Sequence, residues 1–189
     1  ALFHAQGEYV GNCAPGLTDG WTKTTVGAQL VARTQKDGRE QLHMVFYDGG
    51  LPGAGWTRND PRIQVDAEFD NGVAKYDMGW SATLRDGVVS LRTAKGELLG
   101  ELKKAVRRSP TLGAAPPANA VVLFDGKTAD AFAKGRLTKH GLLAAGCDSK
   151  RGFADHRIHL EFKTPYKPRA RGQGRGNSGL YVQGRYECQ

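Results

Sequence analysis

Residues 62–93 read RIQVDAEFDNGVAKYDMGWSATLRDGVVSLRT, and this stretch sets the fold of the first half of the chain. Val89 and Leu91 alternate with more polar neighbours, which is typical of a strand that buries one face. The Asn71-Gly72 and Asp86-Gly87 pairs supply the positive φ angles that tight hairpins need. The stretch therefore predicts successive antiparallel strands joined by short turns.

The same pattern extends over residues 7–105. The 26 glycines of the chain, together with scattered Asp-Gly and Asn-Gly pairs, favour short strands and tight turns over long helices. The predicted strands are residues 26–34, 40–47, 62–69, 73–76, 80–84, 88–93 and 97–103. We therefore expect an all-β N-terminal domain over residues 1–106, folded as a small antiparallel β-sandwich or barrel.

A glycine-rich segment interrupts these strands at residues 48–56, where four glycines surround Pro52 and precede Trp56. The segment lacks the Lys-Ser/Thr ending of a phosphate-binding loop. Two interpretations remain open. We favour a structural turn whose Trp56 packs on the core, because aromatic side chains are so often buried. The other interpretation is a lid or subsite wall for a ligand.

Residues 107–120 contain three prolines among small residues, a composition that predicts an extended linker. A second domain is expected over residues 121–189. Within it, residues 158–163 alternate cleanly between apolar and polar side chains, which predicts a strand. No internal repeat and no long helical pattern accompanies it.

The end of the chain predicts two strands, within residues 176–183 and 186–189, joined by a turn at Gly184-Arg185. Because side chains alternate along a strand, Asn177, Tyr181 and Gln183 would share one face, and Glu187 and Gln189 would share another. Polar side chains spaced two apart can line the bowl of a sheet. Such a row suits a sugar ligand, because a sugar-binding surface needs several hydrogen-bonding side chains and an aromatic ring on which the sugar can stack.

The net charge of +8 is unevenly distributed. Residues 1–110 carry 14 basic and 13 acidic side chains, whereas residues 111–189 carry 13 basic and 6 acidic ones. The excess is concentrated in residues 163–175, which indicates a solvated or anion-binding hairpin loop. Arginines among glycines also occur in nucleic-acid-binding segments, but no DNA- or RNA-binding fold signature accompanies this short run, so we do not expect a nucleic-acid partner.

Two further features limit the class of protein. No apolar run approaches the roughly 20 residues of a membrane-spanning helix, so no membrane span is expected. The three cysteines contain no CxxC pair, which argues against a zinc knuckle or a thioredoxin motif. One disulfide with one free thiol and three reduced thiols remain equally open.

Four motifs in residues 121–189 resemble, in order and spacing, the 3-keto-disaccharide hydrolase family, also described as 3-keto-glucoside lyase-hydratases and formerly as a domain of unknown function. They are LFDGK at residues 123–127, FADHRIHLEF at 153–162, NSGLY at 177–181 and YECQ at 186–189. Each motif is weak alone, and the four together are fairly specific. The resemblance implies a concanavalin-like jelly roll and an exported bacterial protein, periplasmic or extracellular.

Members of that family continue beyond the YECQ strand. The resemblance therefore implies that residues 121–189 form the first part of a jelly roll. We expect this part to have an open sheet edge, which a missing C-terminal segment or a protein partner would cover.

The resemblance also implies a reaction: cleavage of 3-keto-glycosides by abstraction of the C2 proton, β-elimination and hydration, with net hydrolysis. This chemistry needs a base near C2, a stabiliser for the enolate oxygen and an acid for the leaving group. Glu187 is the first candidate for the base or a metal ligand, Glu161 is the second, and His159 is a candidate acid or ligand. No cofactor is certain, although a divalent cation bound by these three residues would stabilise the same enolate.

The remaining candidate residues would bind the substrate. Arg175 could neutralise the enolate, and three more would hold the sugar: Asn177, Tyr181 and Gln189. The enzymatic assignment holds if the domain is complete. The alternative is a non-catalytic carbohydrate-binding or surface-assembly module that uses the same β-sandwich face without chemistry.

Overall fold

A computed structural model describes residues 1–15, 17–18, 20–77 and 79–189. The chain divides into two compact units. The first unit comprises residues 1–107 together with residues 165–176, and the second comprises residues 108–164 together with residues 177–189. The predicted linker, residues 107–120, therefore lies almost entirely within the second unit.

The first unit is a closed barrel of eight antiparallel strands. A short helix α1 (Leu2–Ala5) precedes it. The strands of this unit are β1 (Gly7–Asn12), β2 (Thr25–Thr34), β3 (Glu40–Asp48), β4 (Leu51–Pro52), β5 (Gly55–Trp56), β6 (Arg62–Asp70), β7 (Val73–Asp77), β8 (Trp80–Arg85), β9 (Val88–Thr93) and β10 (Leu98–Ala105). Around the barrel the order is β1-β10-β9-β8-β7-β6-β3-β2, while β4 and β5 form a separate short pair.

The all-β prediction is confirmed, and each of the seven predicted strands is present to within two residues at either end. Asn71 and Asp86 adopt φ values of 48° and 51° in the β6–β7 and β8–β9 turns. These left-handed conformations are what tight hairpins require of Asn-Gly and Asp-Gly pairs. Strand β1 closes the barrel because it pairs with β10 on one side and β2 on the other.

Side chains fill the barrel interior, as in other barrels of this strand number. Phe46 and Trp80 meet edge to face with their ring centroids 5.4 Å apart. The Tyr9 hydroxyl donates to the Ala5 carbonyl at 2.7 Å, so the buried polar atom of this ring is paired. The largest fully buried apolar side chains are Tyr9, Phe46, Leu30, Leu42, Met44, Leu84, Leu91, Leu102, Val26 and Val89.

The glycine-rich segment 48–56 is ordered and packs on the barrel. Leu51 is buried, and the half-buried Trp56 ring contacts Tyr47 with centroids 5.1 Å apart. The Trp56 indole donates to the Asp60 carbonyl at 3.1 Å. Gly27 of β2 lies so close to the Gly50 carbonyl that a Cβ there would collide with it. The segment is therefore a packed turn, but its Trp56 contacts Tyr47 and does not join the hydrophobic core, as we had expected it to.

Residues 165–176, which we call the strap, contact the barrel, although they were expected to form a solvated hairpin loop. The Thr34 N–H donates to the Pro168 carbonyl at 2.9 Å, and the Tyr166 ring meets Phe3 edge to face. The strap ends in one helical turn, α2 (Gln173–Gly176). The strap docks on backbone groups of β2 that β1 leaves unpaired, because β1 pairs with β2 only as far as Leu30.

The second unit contains two short antiparallel pairs and no fully buried side chain. One pair is β11 (Phe132–Ala133) with β12 (Asp148–Ser149), and the other is β13 (Leu180–Val182) with β14 (Tyr186–Cys188). The turn predicted at Gly184-Arg185 is confirmed, with β13 and β14 on either side of it.

The prediction of a strand at residues 158–163 is wrong. These residues form no strand, and the three apolar side chains of the alternating pattern are exposed: Ile158, Leu160 and Phe162. Alternation says which face a strand would bury, but the backbone becomes a strand only when a neighbour pairs with it. No other described segment pairs with this one.

None of the described helices is sufficiently long and apolar to cross a bilayer.

Candidate functional site

The candidate site of the second unit is centred on the β13–β14 hairpin. Tyr181 lies directly opposite Glu187 in the antiparallel register, so the two side chains emerge on one face. Gln183 and Gly184 turn the chain with φ values of 55° and 62°, and the Arg185 N–H closes the turn on the Val182 carbonyl at 3.1 Å. Gln183 therefore belongs to the turn and does not extend the row of polar side chains.

Glu187 lies across Gly179, where any side chain would collide with its carboxylate. Both partners of the Tyr181–Glu187 pair are open to solvent, and the Tyr181 side chain is 57% exposed. The Glu187 carboxylate, which lies opposite Tyr181 on the hairpin, raises the pKa of the Tyr181 phenol. The phenol therefore keeps its proton throughout the neutral range and remains a hydrogen-bond donor.

Asn177 and Gln189 meet beside this pair. The Gln189 side-chain amide donates to Asn177 Oδ1 at 2.8 Å and approaches the Ser178 carbonyl at 3.4 Å. Four of the predicted residues are thus brought together on one hairpin, with a carboxylate, a phenol and two amides. This set can accept and donate several hydrogen bonds, as a polyhydroxylated ligand requires.

Glu161 and His159 form a separate pair, with His159 Nε2 3.2 Å from Glu161 Oε1. Glu161 also accepts the backbone N–H of Gly113. The Gly113 N–H, and secondarily His159, hold the pKa of Glu161 below its usual value. A carboxylate stabilised in this way is a weaker base than a free one.

Arg175 belongs to the strap and therefore to the first unit. Its guanidinium donates to the Ala32 carbonyl at 2.8 Å on the edge of β2. The structure thus gives this residue a backbone partner on the barrel.

The metal prediction named Glu161, Glu187 and His159 as a ligand set. In the ranges that the structure describes, no three His, Cys, Asp or Glu side chains converge as a cation site would require. Only Glu161 and His159 of the three are in contact.

Two glycines contribute to the site in ways that the sequence pattern did not reveal. Gly179 leaves the space that the Glu187 side chain occupies, and Gly113 gives its backbone N–H to Glu161. The NSGLY motif could have indicated the first, because a glycine in mid-strand often marks a close approach. A backbone donor such as Gly113 leaves no side-chain signature.

All three cysteines are free thiols: Cys13 is buried, Cys147 is half-buried and Cys188 is exposed. Burial raises the pKa of the Cys13 thiol to about 11. Of the two arrangements that the sequence left open, the structure has the three reduced thiols.

Comparison with known proteins finds no match: no protein-family model, no curated protein and no solved structure is significantly similar to this chain.

Proposed function

We propose that the β13–β14 hairpin belongs to a carbohydrate site that cleaves 3-keto-glycosides. The observation that carries the proposal is the direct opposition of Tyr181 and Glu187, with Asn177 and Gln189 paired beside them. A carboxylate next to a neutral phenol provides a base and a hydrogen-bond donor on the same face. The four motifs that resemble the 3-keto-disaccharide hydrolases support the same reaction, and with it an exported bacterial protein.

The proposed reaction begins with a sugar that is oxidised at C3. The ketone acidifies the C2 proton, and Glu187 removes that proton, which leaves an enolate whose charge lies on the C3 oxygen. The electron pair then forms the C1–C2 double bond as the C1–O bond breaks, and the departing alkoxide takes up a proton. Water adds its hydroxyl to C1 and its proton to C2, which completes net hydrolysis.

Tyr181 is assigned to the C3 oxygen in this scheme. Its raised pKa keeps the phenol protonated, so it can donate to the developing oxyanion. Asn177 and Gln189 would hold sugar hydroxyls. Glu161 is a poorer candidate for the base, because its carboxylate already accepts the Gly113 N–H and contacts His159.

The test uses a p-nitrophenyl 3-keto-glucoside in deuterated buffer. We expect release of p-nitrophenol and deuterium incorporation at C2, both of which fall about 100-fold or more in Glu187→Gln, since a positioned base contributes typically 10²–10⁴-fold. Glu161→Gln is the matched control, and we expect it to retain both readouts. Failure of the wild-type protein to release p-nitrophenol above the uncatalysed rate would overturn the enzymatic proposal.

A second candidate function is non-catalytic carbohydrate binding. Tyr181 is 57% exposed, and an exposed aromatic ring on a strand pair can stack on a sugar face. Saturable binding of the keto-glycoside without p-nitrophenol release, lost in Tyr181→Ala and kept in Glu187→Gln, would establish this function in place of the first.

A further inference from the structure

Residues 156–163, which we call the open segment, read HRIHLEFK and carry the pattern of a strand without a strand partner. All of these residues are exposed, and none lies in a helix, strand or turn. None has a positive φ, and no described backbone–backbone hydrogen bond involves their N–H or C=O groups. Such a run of unpaired backbone groups is a template on which another strand can add.

One face of the open segment is apolar when its backbone is extended. Ile158, Leu160 and Phe162 are spaced two apart, so a strand directs them to the same side. All three are exposed, and the exposed fraction of Phe162 is 81%. Burial of such side chains against a partner is favourable by about 25 cal/mol per Å² of apolar surface. The exposed row therefore marks an interaction surface.

The opposite face carries an acid and a base with unused contacts. Arg157 makes no ion pair in the described parts of the chain. Glu161 contacts His159 and accepts the Gly113 N–H through Oε1 alone, so its Oε2 has no described partner. Arg157 and Glu161 lie an even number of residues apart, so a strand directs both to this face.

These residues become complementary when the open segment pairs with a second copy of itself. In an antiparallel ladder centred on His159, two-fold symmetry makes every contact occur twice. Arg157 of each copy then lies opposite Glu161 of the other, and Ile158 lies opposite Leu160. Directly opposite residues share a face with their Cβ atoms about 4.5–5.5 Å apart, so the charged pairs and the apolar pairs are both in contact.

The other registers that keep apolar side chains opposite one another are less favourable. Centring the ladder on Glu161 places this carboxylate opposite itself and His159 opposite Lys163. Centring it on Leu160 pairs His159 with Glu161 but places Arg157 opposite Lys163. A parallel in-register pair sets each charged side chain beside its own copy. Like charges directly opposite destabilise a ladder, so charge selects the antiparallel register centred on His159.

We propose that the open segment is a self-association site, at which residues 156–163 of two copies of this chain form an antiparallel ladder centred on His159. The occupant is a second copy because the segment is complementary to itself in charge and in apolar spacing. The ladder is short compared with the interface of a stable complex, so we expect a weak and reversible dimer. The site is independent of the reaction proposed for the β13–β14 hairpin.

The test is sedimentation equilibrium of the full chain over a wide range of concentration, combined with a charge swap. We expect a monomer–dimer equilibrium whose association constant falls about tenfold in Arg157→Glu, because two attractive cross-strand pairs become repulsive. Glu161→Arg should weaken the dimer similarly, and the double variant Arg157→Glu/Glu161→Arg should restore it. Lys139→Glu is the matched control, since it makes the same charge change at another exposed position of the second unit.

Disulfide trapping in a Cys147→Ser/Cys188→Ser background tests the register. His159→Cys should oxidise to a covalent dimer, because opposed Cα atoms in an antiparallel ladder lie about 4.5–5.5 Å apart, within disulfide reach. Leu160→Cys is the control, since its own copy lies two residues further along the ladder and beyond the limit of about 7 Å.

A monomer at every concentration would overturn the proposal and leave the open segment to a partner of another kind. A dimer that Arg157→Glu weakens no more than Lys139→Glu does would overturn it as well, and so would a double variant that folds but does not regain the dimer. Preferential cross-linking of Leu160→Cys would overturn the ladder centred on His159.

Discussion

Arg107 donates two parallel hydrogen bonds to the Glu8 carboxylate, from Nε to Oε2 at 2.6 Å and from Nη2 to Oε1 at 2.5 Å. The same guanidinium donates to the Pro52 carbonyl at 2.9 Å. One side chain thus ties β1 to the glycine-rich segment that packs on the barrel. Bidentate geometry of this kind is the form in which a surface ion pair contributes measurably.

We expect Arg107→Ala to lower the free energy of unfolding of the barrel by about 1–2 kcal/mol, because it removes a bidentate pair and a hydrogen bond to a carbonyl. Chemical denaturation monitored by tryptophan fluorescence would measure the change. Arg85→Ala is the control, and we expect it to have little effect. Equal losses in both variants would show that the Glu8 contact is not the cause.

The same pair predicts a dependence on pH. The Arg107 hydrogen bonds hold the pKa of Glu8 below its ordinary value of 4.5. The stabilisation is therefore complete above pH 4.5 and is lost as the pH falls from there through the lowered pKa of the folded state. Denaturation midpoints measured between pH 7 and pH 3 should show a smaller acid-induced loss in Glu8→Gln than in the wild-type protein.

Gly27→Ala should disrupt the packing of the glycine-rich segment on β2. The added Cβ would collide with the Gly50 carbonyl, and a backbone atom cannot move aside as a side chain can. We expect a loss of at least about 2 kcal/mol, in the range of overpacked cores. Gly174→Ala serves as the control, since nothing lies near its added Cβ and its φ is not positive. A wild-type melting temperature for Gly27→Ala would contradict this prediction.

The Tyr181–Glu187 pair predicts a titration that reports on the candidate site. The carboxylate raises the pKa of the Tyr181 phenol above its ordinary value of 10.0. Glu187→Gln removes the negative charge, so the Tyr181 pKa should fall towards that value. NMR of ¹³C-labelled tyrosine would follow it, with Glu161→Gln as the control that leaves it unchanged. An unaltered Tyr181 titration in Glu187→Gln would mean that the two side chains do not interact in solution.

The three thiols should react at very different rates. Cys188 is exposed and should react first with an aromatic disulfide reagent at pH 8. Cys13 is buried and its pKa is raised to about 11, so little thiolate is present and it should react only after denaturation. Mass spectrometry after timed labelling would identify each site. Fast labelling of Cys13 in the native protein would contradict the burial of its side chain.

The barrel could be predicted from the sequence far better than the second unit, and the reason is physical. Residues 62–93 carry alternation and turn residues together, so register and turn position are both specified locally. The closing role of β1 was not visible, because it depends on pairing with β10 at the far end of the unit. Close approaches such as Gly11 against the Glu101 carbonyl appear only once the strands are assembled.

The candidate site was predicted only in part, because some of its contacts are specified locally in the sequence and others depend on distant residues. The opposition of Tyr181 and Glu187 follows from the turn at Gly184-Arg185, which is a local signal. The expectation of a strand at residues 158–163 used an equally clear alternation, yet no described neighbour pairs with it. The contact of Glu161 with Gly113 involves a distant backbone group, which no side-chain pattern encodes.

The strap has a consequence for biosynthesis. Residues 1–107 leave the ribosome first, but the edge of β2 is completed only by residues 165–176, after all of residues 108–164 have been made. Until then the nascent barrel exposes the backbone groups of Ala32 and Thr34 that face away from β3, and another nascent chain can add a strand there. The first unit can therefore be completed only after residues 108–164 of the second unit have been translated. A fragment that ends at residue 107 would keep this strand edge exposed permanently.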